Sequence, residues 1–133
     1  MFGTFDISVS GMRAQRVRMT TIAQNLANVN TTHNDAGEPE AYRRLVTLMG
    51  QGADGPGSPG VRVTDIVEDP GPLRRVHDPH HPDAGPDGYV NYPNVDMVTE
   101  NVDAIEAARA FEANVAAFEM TKSIIGSALR ILA

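Results

Sequence analysis

Cysteine and tryptophan are both absent from this 133-residue chain, and only four Phe and three Tyr stand in for large aromatic side chains. Without cysteine there is no disulfide framework and no thiolate chemistry. With few aromatics, and with Gly, Pro and Asp dominating the middle, a large independent core is not expected. The isolated chain should be marginally stable, with termini that gain order on assembly. No segment approaches the roughly eighteen consecutive apolar residues that a membrane span needs. Met1–Ser10 has no basic stretch followed by an apolar run, so a cleaved secretory signal is not expected. That suits either a cytoplasmic protein or one exported by another route. Lys is not clustered and the formal net charge is −6, which argues against nucleic acid as a partner.

What the chain does have is apolar periodicity at both ends. From Phe5 to Val29, apolar residues recur at three- and four-residue steps: Phe5, Val9, Met12, Met19, Ile22, Leu26 and Val29. The rhythm returns through Val95, Val98, Val102, Ile105, Ala108, Val115, Phe118, Ile125, Leu129 and Leu132. Each run predicts a helix with one apolar side that cannot stay in water. The two stripes can be hidden against each other or against the same stripes of neighbouring molecules. Residues 1–30 carry a net +2, residues 31–94 a net −5 and residues 95–133 a net −3. The opposite signs of the ends favour pairing of one helix with the other.

The first helix is predicted to start near Thr4, a capping hydroxyl, and to end around Asn28–Asn30. Asn25, Asn28, Asn30, Thr31 and Thr32 break its periodicity. Gly11, inside it, marks either a close approach to another backbone or a weak spot costing about 1 kcal/mol relative to Ala. Tyr42–Met49, Val61–Glu68 and Leu73–His77 read as strands, with a glycine-rich linker at 50–60 (GQGADGPGSPG). Asp87-Gly88 is a turn signal leading into Tyr89-Val90. Asn94 or Asp96 is placed to cap the last helix, whose acids crowd its start while Lys122 and Arg130 lie towards its end, as the helix dipole favours. The expected fold is therefore mainly α with a small β-rich middle: a helix in residues 1–31, a β and loop segment in 32–94, and a long helix in 95–133.

Candidate chemistry is thin. His77, Asp78, His80, His81 and Asp83 could ligate zinc or a similar ion, yet the same run reads more simply as a proline-stiffened loop using its polar side chains in turns. Gly52, Gly55, Gly57 and Gly60 lack the Lys-Ser/Thr pair of a phosphate loop, and Pro56 and Pro59 interrupt them. Asn30-Thr31-Thr32 matches the glycosylation acceptor, a pattern too short to carry weight. Ser8 and Ser10 have no base at helical spacing. The acids of the last helix read as a solvated or partner-facing side. No catalytic, cofactor or metal residues are assigned, and the chain is not expected to be an enzyme.

Several longer motifs remain. Ser10-Gly11-Met12-Arg13-Ala14-Gln15, then Ile22-Ala23-Gln24-Asn25-Leu26-Ala27-Asn28-Val29-Asn30-Thr31, resembles the N-terminal signature of flagellar rod and hook proteins. Residues 69–84 (DPGPLRRVHDPHHPDA), 87–95 (DGYVNYPNV) and 106–114 (EAARAFEAN) look like the proximal-rod members of that family. The chain departs from many rod proteins after Thr31, where a longer turn precedes Ala41-Tyr42-Arg43-Arg44. The resemblance implies a structural subunit of the bacterial flagellar basal body. Its terminal helices would pair as an antiparallel coiled coil lining the rod, and the β-rich middle would face outwards. Export would run through the flagellar type III apparatus, and the partners would be other rod subunits and further copies. The candidate assembly interface is then Phe5, Val9, Met12, Met19, Ile22, Leu26, Val29, Val98, Val102, Ile105, Val115, Phe118, Ile125 and Leu129. The competing readings are a small metal-binding module on a helical hairpin and a paralogous rod or hook subunit.

Overall fold

A computed structural model describes residues 2–55 and 57–132, without the side chains of Phe2 and Leu132. Pro56, read above as an interruption of the glycine run, and the Leu132 side chain, counted in the second stripe, lie outside the described residues. The chain runs α1 (Phe2–Ala27), β1 (Leu45–Gln51), β2 (Val61–Glu68), β3 (Arg74–His77), β4 (Tyr89–Tyr92) and α2 (Met97–Leu132). Two helices thus enclose a middle of two separate antiparallel hairpins, β1–β2 and β3–β4. The β1–β2 register slips at a bulge between Leu48 and Met49.

Contacts between the helices step in opposite directions along the chain. Phe5 meets Phe118 edge-to-face at 4.9 Å, Gly11 faces Asn114, Arg18 reaches Glu106, and Asn25 reaches Glu100. α1 carries 26 residues and α2 36, about 39 and 54 Å at 1.5 Å per residue. With Phe5 opposite Phe118, the last turns of α2 project beyond α1. On another side of α1 lies the first hairpin. The Val61 amide donates to Ser10 Oγ at 3.2 Å, and the Thr47 hydroxyl meets that of Thr21 at 3.0 Å. Gly60 is needed there, since a Cβ at that position would stand 2.5 Å from Ser10 Oγ, on a backbone with φ of +96°. α1 is therefore the central element, with α2 and the β1–β2 hairpin packed against different sides.

Several sequence expectations are corrected. Helix α1 begins at Phe2, which places Thr4 in its first turn and not at the cap. Strand β1 begins at Leu45, three residues later than the apolar pattern suggests. The preceding backbone is satisfied elsewhere: the Tyr42 amide donates to Thr31 O and the Arg44 amide to Asn94 Oδ1. Beyond Glu68 the ladder closes with Asp69 N to Arg44 O, and Pro70 has no amide to extend it. Asp96, not Asn94, caps α2, accepting from the amides of Val98 and Thr99 at 2.8 and 2.9 Å. Those two bonds lower the Asp96 pKa.

The larger correction concerns the second stripe, which is not one face. Val98 and Phe118 are twenty residues apart, about 5.6 turns, which places them on opposite sides of the helix. Val98 is 73% exposed, and Val102, Ile105 and Leu129 are also exposed, while Val115, Phe118 and Ile125 are half-buried. On α1, Ile22 is buried, and Phe5, Val9, Met12, Met19 and Leu26 are half-buried; Val29, expected in the same helical stripe, is half-buried in the turn beyond the end of α1 at Ala27.

Candidate functional site

The side of α1 that meets α2 is marked by a seven-residue spacing of residues that are not apolar: Gly11, Arg18 and Asn25. On α2 the answering positions are Glu100, Ala107 and Asn114, again seven apart. Seven residues is close to two helical turns, so each trio keeps to one side of its helix. Ala107 and Glu100 are both fully buried. At Gly11 an added Cβ would lie 2.5 Å from Asn114 Oδ1, so the glycine marks a close approach, here to a side chain of the paired helix. Asn114 is itself held by a 2.7 Å bond from its Nδ2 to Ala110 O. Phe5 against Phe118 supplies an aromatic contact at the far end.

The centre of the site is the Asn25 amide, 1% exposed on the last turn of α1. Its Nδ2 donates to Leu45 O at 2.9 Å and its Oδ1 accepts from Leu45 N at 2.8 Å, so the side chain pairs with the start of β1 as a neighbouring strand would. The second Nδ2 proton goes to Glu100 Oε2 at 3.1 Å, and the Tyr42 hydroxyl donates to Oδ1 at 2.9 Å. Two donors and two acceptances fill the capacity of the amide. Burial, together with the carboxylates of Glu100 and Glu68, raises the Tyr42 phenol above its ordinary pKa, so it stays a hydroxyl donor.

Glu100 is fully buried and its other oxygen accepts from Arg44 Nε at 2.5 Å. Arg44 also reaches Asp103 at 3.2 Å and Asp69 at 3.7 Å, and its backbone amide is bound by Asn94. Burial alone would lower the Arg44 pKa, but the Glu100 bond and the surrounding carboxylates outweigh it and hold the guanidinium above its usual value. Arg18 approaches Asp103 at 3.6 Å and Glu106 at 3.5 Å. One polar cluster thus ties α1, α2, the start of β1 and the loop leading to β3. A buried carboxylate is tolerable only when paired and hydrogen-bonded in this way.

The sequence reading took Asn25 as a break in the helix and Glu100 as part of a solvated or partner-facing side. Asn25 lies within α1 and Glu100 is fully buried, and each finds its partners in distant segments. The signal available was the shared seven-residue spacing of Gly11, Arg18 and Asn25, which an apolar-only count passes over.

The histidine-rich loop is used locally. His77 stacks edge-on to Tyr89 at 5.0 Å, and His81 Nδ1 accepts from the Asp83 amide at 3.1 Å. Among the described residues, no three His, Asp or Glu side chains are grouped to hold a metal ion. Asp83 joins this loop to the long turn after α1, accepting from the Thr32 hydroxyl at 2.6 Å with His33 Nδ1 3.3 Å away. The Thr32 bond, helped by His33 and His81, lowers the Asp83 pKa against the opposing effect of desolvation. A depressed folded pKa means a contribution present above the ordinary aspartate value and lost as pH falls through the folded one. The Asp83→Asn chain is therefore expected to lose less thermal stability than the parent between pH 5 and pH 2.5. Parallel acid limbs in the two melting series would contradict this.

Comparison with known proteins agrees with the geometry. Residues 5–33 match the family model "Flagella basal body rod protein", and residues 87–131 match "Flagellar basal body rod FlgEFG protein C-terminal". The first match covers most of α1, and the second covers β4 and nearly all of α2. The chain is 39% identical to the flagellar basal-body rod protein FlgC of Bacillus subtilis, over 98% of this chain and 97% of that one. It is 44% identical to that of Aquifex aeolicus, over 93% and 91%. With FlgC of Salmonella typhimurium it shares 34% identity over 94% of this chain and 92% of the relative.

Proposed function

The chain belongs to the FlgC family of flagellar basal-body rod proteins and is a structural subunit of the basal-body rod, and from that premise we propose that it builds the proximal rod through its two terminal helices. The observation that carries this reading is the helix pair itself, with seven-residue spacing on both partners and exposed apolar side chains left over on α2. The helices act as one antiparallel coiled coil forming the inner part of the rod, while the β1–β2 hairpin, seated on α1, and the β3–β4 hairpin face outwards. The assembly contacts fall among Phe5, Val9, Met12, Met19, Ile22, Leu26 and Val29 of the first segment, and Val98, Val102, Ile105, Val115, Phe118, Ile125 and Leu129 of α2. Residues 1–31, 32–94 and 95–133 behave as helix, outer module and helix. The role is mechanical and non-catalytic, the partners are other rod subunits and further copies, and the chain reaches the envelope through the flagellar export apparatus.

The test is direct. Cells lacking the chain should not swim, and an epitope-tagged copy should restore swimming and co-purify with basal bodies at full length, its first residues included. Normal swimming without the chain, or its absence from purified basal bodies, would overturn the assignment.

A further inference from the structure

The sequence contains two Asp-Gly steps, at residues 54–55 and 87–88, and no Asn-Gly step. At an Asp-Gly step a side-chain carboxyl and the next backbone amide can react, because glycine has no Cβ to crowd the amide nitrogen. The glycine nitrogen attacks the aspartate Cγ, the C–OH bond breaks, and the hydroxyl leaves with the amide proton as water. The product is a five-membered succinimide. Water then adds to one of its two carbonyls and opens the ring. Opening on one side restores aspartate; opening on the other leaves isoaspartate, in which the main chain runs through Cβ. The mass is unchanged and water is the only co-reactant.

We propose that Asp54 is a site of spontaneous isomerisation to isoaspartate, while the fold protects Asp87 from the same reaction. The two steps share their chemistry and differ in their surroundings. At Asp87 both reacting groups are engaged. Its Oδ1 accepts from the Tyr89 amide at 3.3 Å and its Oδ2 is paired with Arg75. The Gly88 amide, the nucleophile of the reaction, donates to Gly85 O at 2.9 Å. The peptide beyond it is held as well, because Gly88 O accepts from the Asp78 amide at 3.0 Å. Asp54 is instead exposed at the tip of the β1–β2 hairpin, where chemical change is best tolerated. Among the described residues, neither the Asp54 carboxylate nor the Gly55 amide has a hydrogen-bond partner, and nothing lies within 4 Å of where a Gly55 Cβ would stand. Ser58 holds the flanking groups: its Oγ accepts from the Asp54 amide at 3.0 Å and donates to Gly55 O at 2.9 Å. That leaves the reacting pair itself free. The extra backbone carbon of isoaspartate falls above the bonds from Gly52 N to Gly60 O and from Ala53 N to Pro59 O, so the hairpin below keeps its register.

The test uses the purified full-length chain, aged for weeks at physiological temperature in ¹⁸O-labelled water, once folded and once in urea. Trypsin then releases Asp54 within residues 45–62 and Asp87 within residues 76–109. Electron-transfer fragmentation tells isoaspartate from aspartate at each position, and ¹⁸O enters at each passage through the succinimide. In the folded chain, isoaspartate is expected to accumulate at Asp54 at least fivefold faster than at Asp87. In urea the two rates should converge to within about twofold, because Asp87 has lost its partners. Equal rates in the folded chain, a faster rate at Asp87, or no isoaspartate at Asp54 would overturn the proposal. So would a ratio that persists in urea, since neighbouring residues and not the fold would then set it. Asp54→Glu is the second measurement. It keeps the charge at an exposed position but needs a six-membered ring, which closes far more slowly. Methyl transfer from labelled S-adenosylmethionine by an isoaspartyl methyltransferase should therefore fall at least fivefold in the aged variant, and undiminished transfer would place the modification elsewhere.

Discussion

Replacing Asn25 by leucine is expected to cost about 3–5 kcal/mol of folding stability, more than any other single change in the helix pair. The side chains are similar in size, so the loss is not one of volume. It comes from four groups that lose a partner where they are buried or half-buried: both polar groups of the Leu45 backbone, the Tyr42 hydroxyl and one oxygen of Glu100. Each unsatisfied buried neutral group costs about 1–3 kcal/mol, and an under-paired buried carboxylate costs more. Partial collapse around the leucine offsets some of this, which brings the sum to the range given. Glu100→Gln should cost less, because a neutral amide still meets Asn25 and gives up only the charge opposite Arg44. Urea unfolding of the purified chains measures both. A loss under 1 kcal/mol for Asn25→Leu would show that the amide does not hold the helices to the sheet.

This residue also shows where reading the sequence stops. The helices, the Val61–Glu68 strand, the Asp87-Gly88 turn and the cap at Asp96 are local. Each follows from periodicity, alternation or a turn side chain within a few residues, and each stands within a few residues of where those signals place it. Asn25, Tyr42, Arg44 and Glu100 are scattered over 75 positions and become one cluster only when α1, β1 and α2 meet. Nothing local about a Glu in the first turns of an acidic helix distinguishes a buried carboxylate from a solvated one. The same limit explains the α2 stripe. Steps of three and four residues suggest one face locally, but over twenty residues the phase drifts by half a turn, so Val98 and Phe118 part company. The fold was thus more legible than the site, because the site is made of long-range polar pairs and the fold of short-range patterns.

The second large effect is expected in the cell. Leu26→Asp and Ile125→Asp should each abolish swimming and leave rods incomplete, while removal of residues 54–58 should be tolerated. Leu26 is half-buried beside the Asn25 cluster, and Ile125 is half-buried on the side of α2 that continues past Phe118. Burying such a side chain is worth roughly 1.5–3 kcal/mol, and an assembly loses that amount again in every copy. A carboxylate in its place adds the cost of desolvating a charge, which exceeds the lost contact. The segment 54–58 differs because it lies at the tip of the first hairpin. The chain is already closed below it by the bonds from Gly52 N to Gly60 O and from Ala53 N to Pro59 O. Shortening the tip therefore leaves β1, β2 and their seat on Ser10 and Thr21 in place. Swimming-halo diameter and the amount of chain in purified basal bodies report the outcome, with whole-cell levels as the control. Normal swimming by the Ile125→Asp strain at normal protein levels would mean that the helix surfaces do not carry assembly. The outward-facing hairpins would then be the place to look for the contacts that hold the rod together.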